Sequence, residues 1–246
     1  MSTSKNKVVL ITGAARGIGA FIASRFADTG YRVVINYAHG KDIATALVEE
    51  IIKKGGDAIA LQADVSKPDQ VKKLFDDSIA HYGKIDVLVN NAGLMITKLI
   101  KDLTDEDFTN QFEVNVRGTF NTLREAATRL ADHGSIINFS STNIRVLVPT
   151  YSIYSATKAA VEQFTRIFSK EIGARGINVN AVAPGPVNTE LFTKGKSPEV
   201  IARFASMTAF NRIGEPGDIT GVVLFLASDE AKWINGQSIG INGAMA

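Results

Sequence analysis

The sequence predicts a single doubly wound α/β domain, a seven-stranded parallel sheet with helices on both faces. Seven short apolar runs, rich in β-branched residues, alternate with stretches of helical period. Strands that are apolar almost throughout are typical of a parallel sheet covered on both sides, and right-handed crossovers place the intervening helices there. The chain has 246 residues, 45% of them hydrophobic, which is enough to bury such a core.

The strands and helices follow from this pattern in chain order. The predicted strands are Val8 to Thr12, Arg32 to Asn36, Ala58 to Gln62, Asp86 to Asn90, Ser135 to Ser140, Asn178 to Val182 and Gln237 to Ile241. Helical stretches end at Gly30, Gly55, Gly83 and Gly176, because a left-handed helix cap favours glycine. The two longest predicted helices run from Asp105 to Leu130 and from Ser152 to Arg175.

The stretch from Pro184 to Met207 is the least regular part of the chain. Prolines and glycines interrupt it repeatedly, which indicates a substrate loop or lid at 184–207. Neither an internal repeat nor a linker divides the sequence, so residues 1–246 are predicted to form one domain.

Composition excludes several function classes. The net charge is +2 and the 27 basic residues are dispersed, so neither nucleic acid nor a membrane surface is an expected partner. Cysteine is absent and the histidines, His39, His81 and His133, are scattered, which argues against a metal site. The segment from Met1 to Lys7 is polar, without the apolar core of a signal peptide, so the cytoplasm is the expected location.

A glycine-rich turn follows the first predicted strand, Thr12-Gly-Ala-Ala-Arg-Gly-Ile-Gly19, and opens a helix. Such a turn leaves backbone N–H groups free for the phosphates of a dinucleotide, with the helix dipole in support. Gly13 allows the tight turn, Gly17 lets the backbone approach the phosphates, and Gly19 lets helix and strand pack closely. The spacing differs from the usual Gly-x-Gly-x-x-Gly, and a glycine-rich turn can be simply a turn.

Polar residues follow three further strands. They are Asn90-Asn91-Ala92-Gly93, Ser140-Ser141 and Ala183-Pro184-Gly185. Each alone is explained by an Asx or Ser turn. Because ligands bind beyond the carboxyl ends of parallel strands, their coincidence at one sheet edge indicates a binding site.

Tyr154 and Lys158 are spaced i and i+4 on a predicted helix, a pair that also arises by chance. A nearby ammonium favours phenolate and is expected to lower the pKa of the tyrosine toward the range useful for acid–base catalysis. Ser141, at a strand end, can hydrogen-bond a substrate carbonyl. Asn115 lies in a helical segment that can border the same cleft; otherwise it is a polar residue inside a helix.

With these motifs the chain resembles the short-chain dehydrogenase/reductase family, in its subgroup of about 250 residues, and the match covers nearly the whole chain. The resemblance implies a Rossmann fold and a nicotinamide cofactor. It implies that Tyr154 is the acid/base, that Lys158 lowers its pKa and binds the ribose hydroxyls, that Ser141 holds the carbonyl, and that Asn115 anchors a proton-relay water.

The cofactor site is expected to extend along the whole sheet edge. Its expected residues are Gly13, Arg16, Gly17, Ile18, Gly19, Asn36, Lys41, Asp64, Val65, Asn91, Ala92, Gly93, Tyr154, Lys158, Pro184, Gly185, Val187 and Thr189. The resemblance places Asp64 and Val65 beside adenine, and Val187 and Thr189 at the carboxamide.

The cofactor is predicted to be NADP(H). An NAD enzyme typically has an acid after its second strand, but here that position reads Ile35-Asn36-Tyr37. Arg16 in the glycine turn and Lys41 soon after the strand can meet a 2′-phosphate. The alternative is that both are ordinary surface residues.

The expected reaction is reduction of a ketone, or of a β-keto ester, to a secondary alcohol by hydride transfer. The subgroup resembles both NADPH carbonyl reductases and 3-oxoacyl-carrier-protein reductases. Arg175 matches a basic position expected of the latter, but Asp132 stands where another basic residue would help to bind an acidic carrier protein. The pocket wall is predicted to be apolar, which suits hydrophobic ketones. Its members are Val146, Leu147, Val148, Pro149 and Tyr151, within Asn143 to Ser152, together with Leu191 and Phe192.

Two alternatives remain at this point, a 3-oxoacyl-carrier-protein reductase and a non-catalytic NADP-sensing protein. The resemblance also implies a homotetramer, or a homodimer, formed through the two long helices and the last strand. Four phenylalanines serve either that interface or the core: Phe112, Phe120, Phe164 and Phe168.

Overall fold

The seven apolar runs form seven parallel strands in the order β3-β2-β1-β4-β5-β6-β7, in a computed structural model that describes residues 6–246. The strands are β1 (Val8–Ile11), β2 (Arg32–Tyr37), β3 (Asp57–Gln62), β4 (Val87–Asn90), β5 (Ser135–Phe139), β6 (Asn178–Pro184) and β7 (Ser238–Ile241). The fold prediction is confirmed. The strand order reverses between β1 and β4, and such a switch point opens a crevice for ligands.

Helices connect the strands. They are α1 (Gly17–Asp28), α2 (Lys41–Lys53), α3 (Pro68–Tyr82), α4 (Asp105–Phe112), α5 (Gly118–Arg129), α6 (Asn143–Val146), α7 (Ser152–Glu171), α8 (Glu190–Thr193), α9 (Pro198–Ser206) and α10 (Pro216–Leu226). Short 3₁₀ turns lie at Ile100–Asp102, Gly173–Arg175 and Asp229–Ala231, and a π-helical turn, Glu113–Arg117, joins α4 to α5.

Two hydrophobic cores lie on opposite faces of the sheet, because successive side chains of a strand point to opposite sides. In β1, Val9 and Ile11 pack against α1, α2 and α10, whereas Val8 and Leu10 pack against α3, α5 and α7. The same strand thus anchors both helical layers, and its carboxyl end carries the glycine-rich turn between them.

The local predictions are confirmed in part. The glycines predicted to end helices, Gly30, Gly55, Gly83 and Gly176, all have positive φ, as expected. The helix predicted over 105–130 contains the π-helical turn, and the one predicted over 152–175 ends at Glu171. The predicted loop at 184–207 is largely helical: it contains α8 and α9. Pro198 occupies the first turn of α9, where the lack of an N–H is harmless, so it starts a helix rather than preventing one.

The sequence predicts neither a membrane partner nor a metal site. Across residues 6–246, no helix is long and apolar enough to cross a membrane. Within the same range, His, Cys, Asp and Glu side chains form no group of three that could hold a metal ion. Most of the N-terminal segment predicted to lack a signal peptide, residues 1–5, lies outside the described residues.

Candidate active site

The residues singled out at the strand ends meet in one cleft beyond the carboxyl edge of the sheet. The cleft has a volume of about 850 Å³, including space open to solvent, which suits a ligand of moderate size. Its predicted members are Ile18, Asn91, Gly93, Ser141, Tyr154, Lys158, Pro184, Gly185, Val187 and Thr189. The ends of β4, β5 and β6 and the helices α1 and α7 therefore converge on the same space.

The glycine-rich turn is built against the loop that follows β4. Asn91 Nδ2 donates to the carbonyl oxygens of Thr12 and Gly13 at 2.9 and 3.0 Å. A Cβ on Gly19 would lie 2.6 Å from Asn91 Nδ2 and 2.7 Å from the Gly13 carbonyl oxygen. Gly13 and Gly17 have φ of +61° and +58°, the left-handed region that favours glycine. The close packing predicted for Gly19 is therefore present, and the turn leads into the N-terminus of α1.

Asn36 supports this turn from β2. Its Oδ1 accepts from the Gly13 N–H at 3.3 Å, and its Nδ2 donates to the carbonyl oxygens of Leu61 and Ala63 at 3.3 and 3.0 Å. The side chain is almost fully buried. Its donors and its acceptor are thus engaged by backbone, so its contribution to a cofactor site is to hold the turn in place.

Arg16 lies at the outer end of the turn, where its Nη1 pairs with Glu190 Oε2 of α8 at 3.2 Å. A Cβ on Gly40 would lie 3.2 Å from Arg16 Nη2, and Lys41 follows directly as the first residue of α2. The two predicted basic residues therefore flank the loop after β2. The acidic partner Glu190 lies in the segment predicted to be a loop.

Asp64 and Val65 follow β3 and are not among the residues that line the cleft. Asp64 Oδ1 accepts from the Ser66 N–H at 2.9 Å, and the Val65 carbonyl oxygen accepts from Asn121 Nδ2 at 2.9 Å. Their backbone is thus fixed, while their place beside adenine stays a prediction. Ala92 is held by its N–H, which donates to Thr12 Oγ1 at 3.1 Å.

Lys158 and Asn115 are both buried and both border Gly93. A Cβ on Gly93 would lie 3.5 Å from Lys158 Nζ and from Asn115 Oδ1. Lys158 Nζ donates to the Phe139 carbonyl oxygen at 2.8 Å and lies 5.7 Å from the Tyr154 ring centre. The predicted amide, phenol and ammonium therefore share one site.

Asn115 occupies the π-helical turn rather than a regular helix. Its Oδ1 accepts from the Leu94 N–H at 2.7 Å, and its Nδ2 donates to the Leu94 carbonyl oxygen at 2.8 Å and to Thr157 Oγ1 at 3.0 Å. The side chain thus ties the loop after β4 to α7, one residue before Lys158.

The electrostatics of Tyr154 differ from the prediction. Burial raises the pKa of Tyr154 to about 12, and its hydrogen bond with Ser141 opposes that rise. Burial also lowers the pKa of Lys158 to about 8. Desolvation dominates the pKa of the phenol in this structure, and the lowering expected from Lys158 stays a prediction. At neutral pH the phenol is therefore protonated and can act as a proton donor.

The pocket wall matches the prediction in part. Val146, Tyr151, Leu191 and Phe192 line the cleft, but Leu147 has a left-handed φ of +59° and is 74% exposed. Val148 and Pro149 are likewise outside the lining. Apolar side chains that were not predicted complete the wall: Met95, Phe204 and Met245.

Arg175 is held by the protein itself. Its Nε donates to Asp132 Oδ1 at 2.7 Å, and its two terminal nitrogens donate to the carbonyl oxygens of Ala127 and Leu130. Arg175, which favoured a carrier-protein partner, and Asp132, which argued against one, thus form a single ion pair. Because the guanidinium is engaged, this basic position gives no support to an acidic partner.

Glu162 supports the site from behind and was not predicted from the sequence. This buried carboxylate accepts from Ser140 Oγ at 3.0 Å and from Ser238 Oγ, and it pairs with Arg145 and Arg166, each at 3.3 Å. It lies one helical turn after Lys158. The available signal in the sequence was an acidic residue within a helix that packs on the core. The network holds the strand end before Ser141 against α7 and β7.

The chain is similar to known proteins over nearly its whole length. A family model described as enoyl-(acyl carrier protein) reductase matches residues 13–245. Elsinochrome reductase 1 of Elsinoe fawcettii is 43% identical over 258 residues, covering 99% of this chain and 97% of that protein. A probable tetrahydroxynaphthalene reductase of Zymoseptoria tritici is 41% identical over 250 residues, covering 97% of this chain and 94% of that protein.

Solved structures are similar over the whole fold. A short-chain dehydrogenase/reductase from Serratia marcescens has a TM-score of 0.94 at 33% identity, covering 98% of each chain. An angucycline C-6 ketoreductase with bound NADP has a TM-score of 0.94 at 36% identity, covering 99% of this chain and 97% of that chain.

Proposed function

Because the chain belongs to the short-chain dehydrogenase/reductase family, we propose that it is an NADPH-dependent oxidoreductase that reduces a ketone or β-keto ester to a secondary alcohol. The observation that carries this proposal is the convergence of Ser141, Tyr154 and Lys158 in one cleft beside the glycine-rich turn. Reductases among the relatives, and NADP in a similar structure, support the same interpretation.

The residues around the cleft fit a phosphorylated dinucleotide. The left-handed backbone at Gly13 and Gly17 and the N-terminus of α1 suit its pyrophosphate, and Arg16 and Lys41 suit a 2′-phosphate. No acidic side chain stands at the end of β2, where one would accept from an unphosphorylated ribose. NADP(H) is accordingly the cofactor of the proposed reaction, and when bound it supplies the hydride.

Side chains of the protein then bind the carbonyl group and protonate its oxygen. Tyr154 donates its phenolic proton to the alkoxide that develops there, and its high pKa keeps that proton available at neutral pH. Ser141 orients the carbonyl by hydrogen bonding. Lys158 binds the ribose hydroxyls, and Asn115, fixed in its π-helical turn, anchors the water that returns a proton to the site.

The direct test is NADPH oxidation with a panel of an aryl ketone, a β-keto ester and a 3-oxoacyl-carrier-protein thioester. We expect turnover with at least one of the first two. Turnover with the thioester alone would mean a carrier-protein reductase, and NADPH binding without turnover of any ketone would mean a sensing protein. Either outcome would overturn the proposal.

Replacing Arg16 is expected to change cofactor preference. Arg16→Ala removes a charge-assisted contact to the 2′-phosphate, so the ratio of kcat/KM with NADPH to that with NADH should fall about 10- to 100-fold. Glu190→Gln should act oppositely and tighten NADPH binding, because Glu190 competes for Arg16. Lys194→Ala is the matched control, since Lys194 pairs with the same carboxylate at 3.4 Å. It should leave the ratio near that of wild type. An unchanged ratio in Arg16→Ala would refute the assignment.

We also propose assembly into a homotetramer, or a homodimer, in the cytoplasm. Phe164 and Phe168 pack against the core, which leaves Phe120 on α5, 46% exposed, and Phe112, stacked on Phe108 at 4.5 Å, for an interface. Such exposed aromatic surface is typical of interaction sites. Light scattering on the purified protein gives the mass that decides between these states.

A further inference from the structure

Tyr151, the residue directly before α7, is buried with an unsatisfied hydroxyl. Its side chain is 7% exposed, and within residues 6–246 its hydroxyl oxygen has no hydrogen-bond partner. Buried polar groups are nearly always paired, and an unpaired one lowers stability, so each exception needs an explanation. A hydroxyl retained in this condition indicates a partner that arrives with a ligand.

The position of Tyr151 favours the substrate as that ligand. Tyr151 lines the same cleft as Tyr154, three residues further along the chain, and the two ring centres are 6.2 Å apart with their planes at 71°. The phenols are close enough for Tyr151 to raise the pKa of Tyr154. A compact substrate whose carbonyl meets Tyr154 therefore lies against the Tyr151 side chain, whose enclosed hydroxyl must open to the cleft to bind it.

The surroundings of Tyr151 are aromatic and apolar. Its ring contacts Phe204 of α9 at 6.4 Å between centres, and Phe204 contacts Phe192 of α8 at 5.1 Å, both edge to face. Met95 and Met245 complete this wall. Aromatic and thioether side chains favour flat, polarisable rings, so the wall suits an aryl or ring-fused ketone better than a flexible aliphatic one.

The charge state of Tyr151 suits hydrogen bonding rather than proton transfer. Burial raises the pKa of Tyr151, so its hydroxyl stays neutral at physiological pH. It can donate a hydrogen bond to a carbonyl or phenolic oxygen and can also accept one from a hydroxyl. Tyr154, by contrast, has Ser141 as a partner. Tyr154 is thus suited to proton transfer and Tyr151 to recognition of the substrate.

We propose that the Tyr151 hydroxyl binds a second oxygen of an aromatic ketone, a hydroxyl or a carbonyl a few bonds from the carbonyl that Tyr154 protonates. The inference rests on the proposed function and refines its substrate class to oxygenated aryl ketones. Tyr151 acts as a specificity residue, because it contacts substrate without exchanging a proton in the reaction.

The test compares wild type and Tyr151→Phe on a bicyclic aryl ketone and on its isomers that carry one ring hydroxyl, with NADPH. We expect wild type to prefer one hydroxylated isomer to the parent by about tenfold in kcat/KM. Tyr151→Phe should lose most of that preference, chiefly through a higher KM for the hydroxylated ketone. Tyr82→Phe, in which a surface hydroxyl bonded to Asp57 is removed, is the matched control and should keep the preference.

Thermal unfolding separates recognition from packing. Because Tyr151→Phe removes an unpaired buried hydroxyl while keeping the ring, its Tm should equal or exceed that of wild type. A lower Tm with equal losses on all ketones would show that the hydroxyl is structural, and would overturn the inference. If wild type reduces the ketones without discrimination, or reduces only the β-keto ester, the role of Tyr151 fails alone. If it reduces neither the ketones nor the β-keto ester, the proposed function fails too.

Discussion

Tyr154→Phe is expected to lower kcat for ketone reduction by about 100- to 10,000-fold while NADPH binding stays near that of wild type. The phenol is the proposed proton donor, with Ser141 on its hydroxyl and Lys158 Nζ 5.7 Å from its ring centre. Removing the hydroxyl leaves the ring and the shape of the cleft in place. The loss should therefore fall on the chemical step, seen as NADPH oxidation under saturating ketone, with cofactor binding followed by fluorescence.

Tyr82→Phe again supplies the control, because its hydroxyl bonds Asp57 on the surface and no cleft residue. It should turn over like wild type. Near-normal turnover in Tyr154→Phe would refute the acid role, whereas loss of NADPH binding together with turnover would assign Tyr154 to the cofactor site rather than to proton transfer.

Gly19→Ala is expected to disrupt the cofactor site and to destabilise the fold. The added methyl carbon would lie 2.6 Å from Asn91 Nδ2, 2.7 Å from the Gly13 carbonyl oxygen and 2.9 Å from Ala14 Cα. Two of these atoms are backbone of the glycine-rich turn itself, so the turn must move. Overpacking of this kind destabilises by about 1–3 kcal/mol, and NADPH affinity should fall about tenfold or more.

The same substitution elsewhere gives the control. Gly221 lies in α10, is exposed, and has no atom within 4 Å of an added Cβ. Gly221→Ala should therefore raise stability by about 0.5–1 kcal/mol through helix propensity and leave NADPH binding unchanged. Chemical denaturation and cofactor titration on both variants test the pair; wild-type affinity and stability in Gly19→Ala would contradict the close packing of the turn around Gly19.

The fold could be predicted because its signals are local. The run from Val8 to Ile11 is apolar on both faces, a pattern typical of a strand that is covered by helices on both sides. The glycine-rich turn follows this strand directly. The cleft residues could be predicted for a related reason: parallel strands end at one edge, so residues that follow different strands meet there.

Features that depend on long-range packing could not be predicted in this way. Glu162 receives one of its hydrogen bonds from Ser238, 76 residues away, and no local pattern predicts that contact. Phe204 reaches the pocket wall from α9, inside a segment whose prolines suggest a loop. The pKa of Tyr154 could not be predicted either, because spacing reveals a neighbouring ammonium, whereas the larger influence, burial, belongs to the folded molecule.

The π-helical turn that carries Asn115 constrains the length of the chain around it. A π-helical turn fits one extra residue into a helix without turning the two halves against each other. Gln111 Oε1, which accepts from the Ile96 N–H at 3.0 Å, and Thr122 Oγ1, which donates to Asn90 Oδ1 at 2.7 Å, lie on opposite sides of the turn and hold both halves in place. Deleting one residue from 113–117 would restore a regular helix between these contacts but remove the bulge that brings Asn115 to Leu94 and Thr157. Natural variation across 105–129 should therefore exchange residues freely at exposed positions yet exclude single-residue gaps in 113–117.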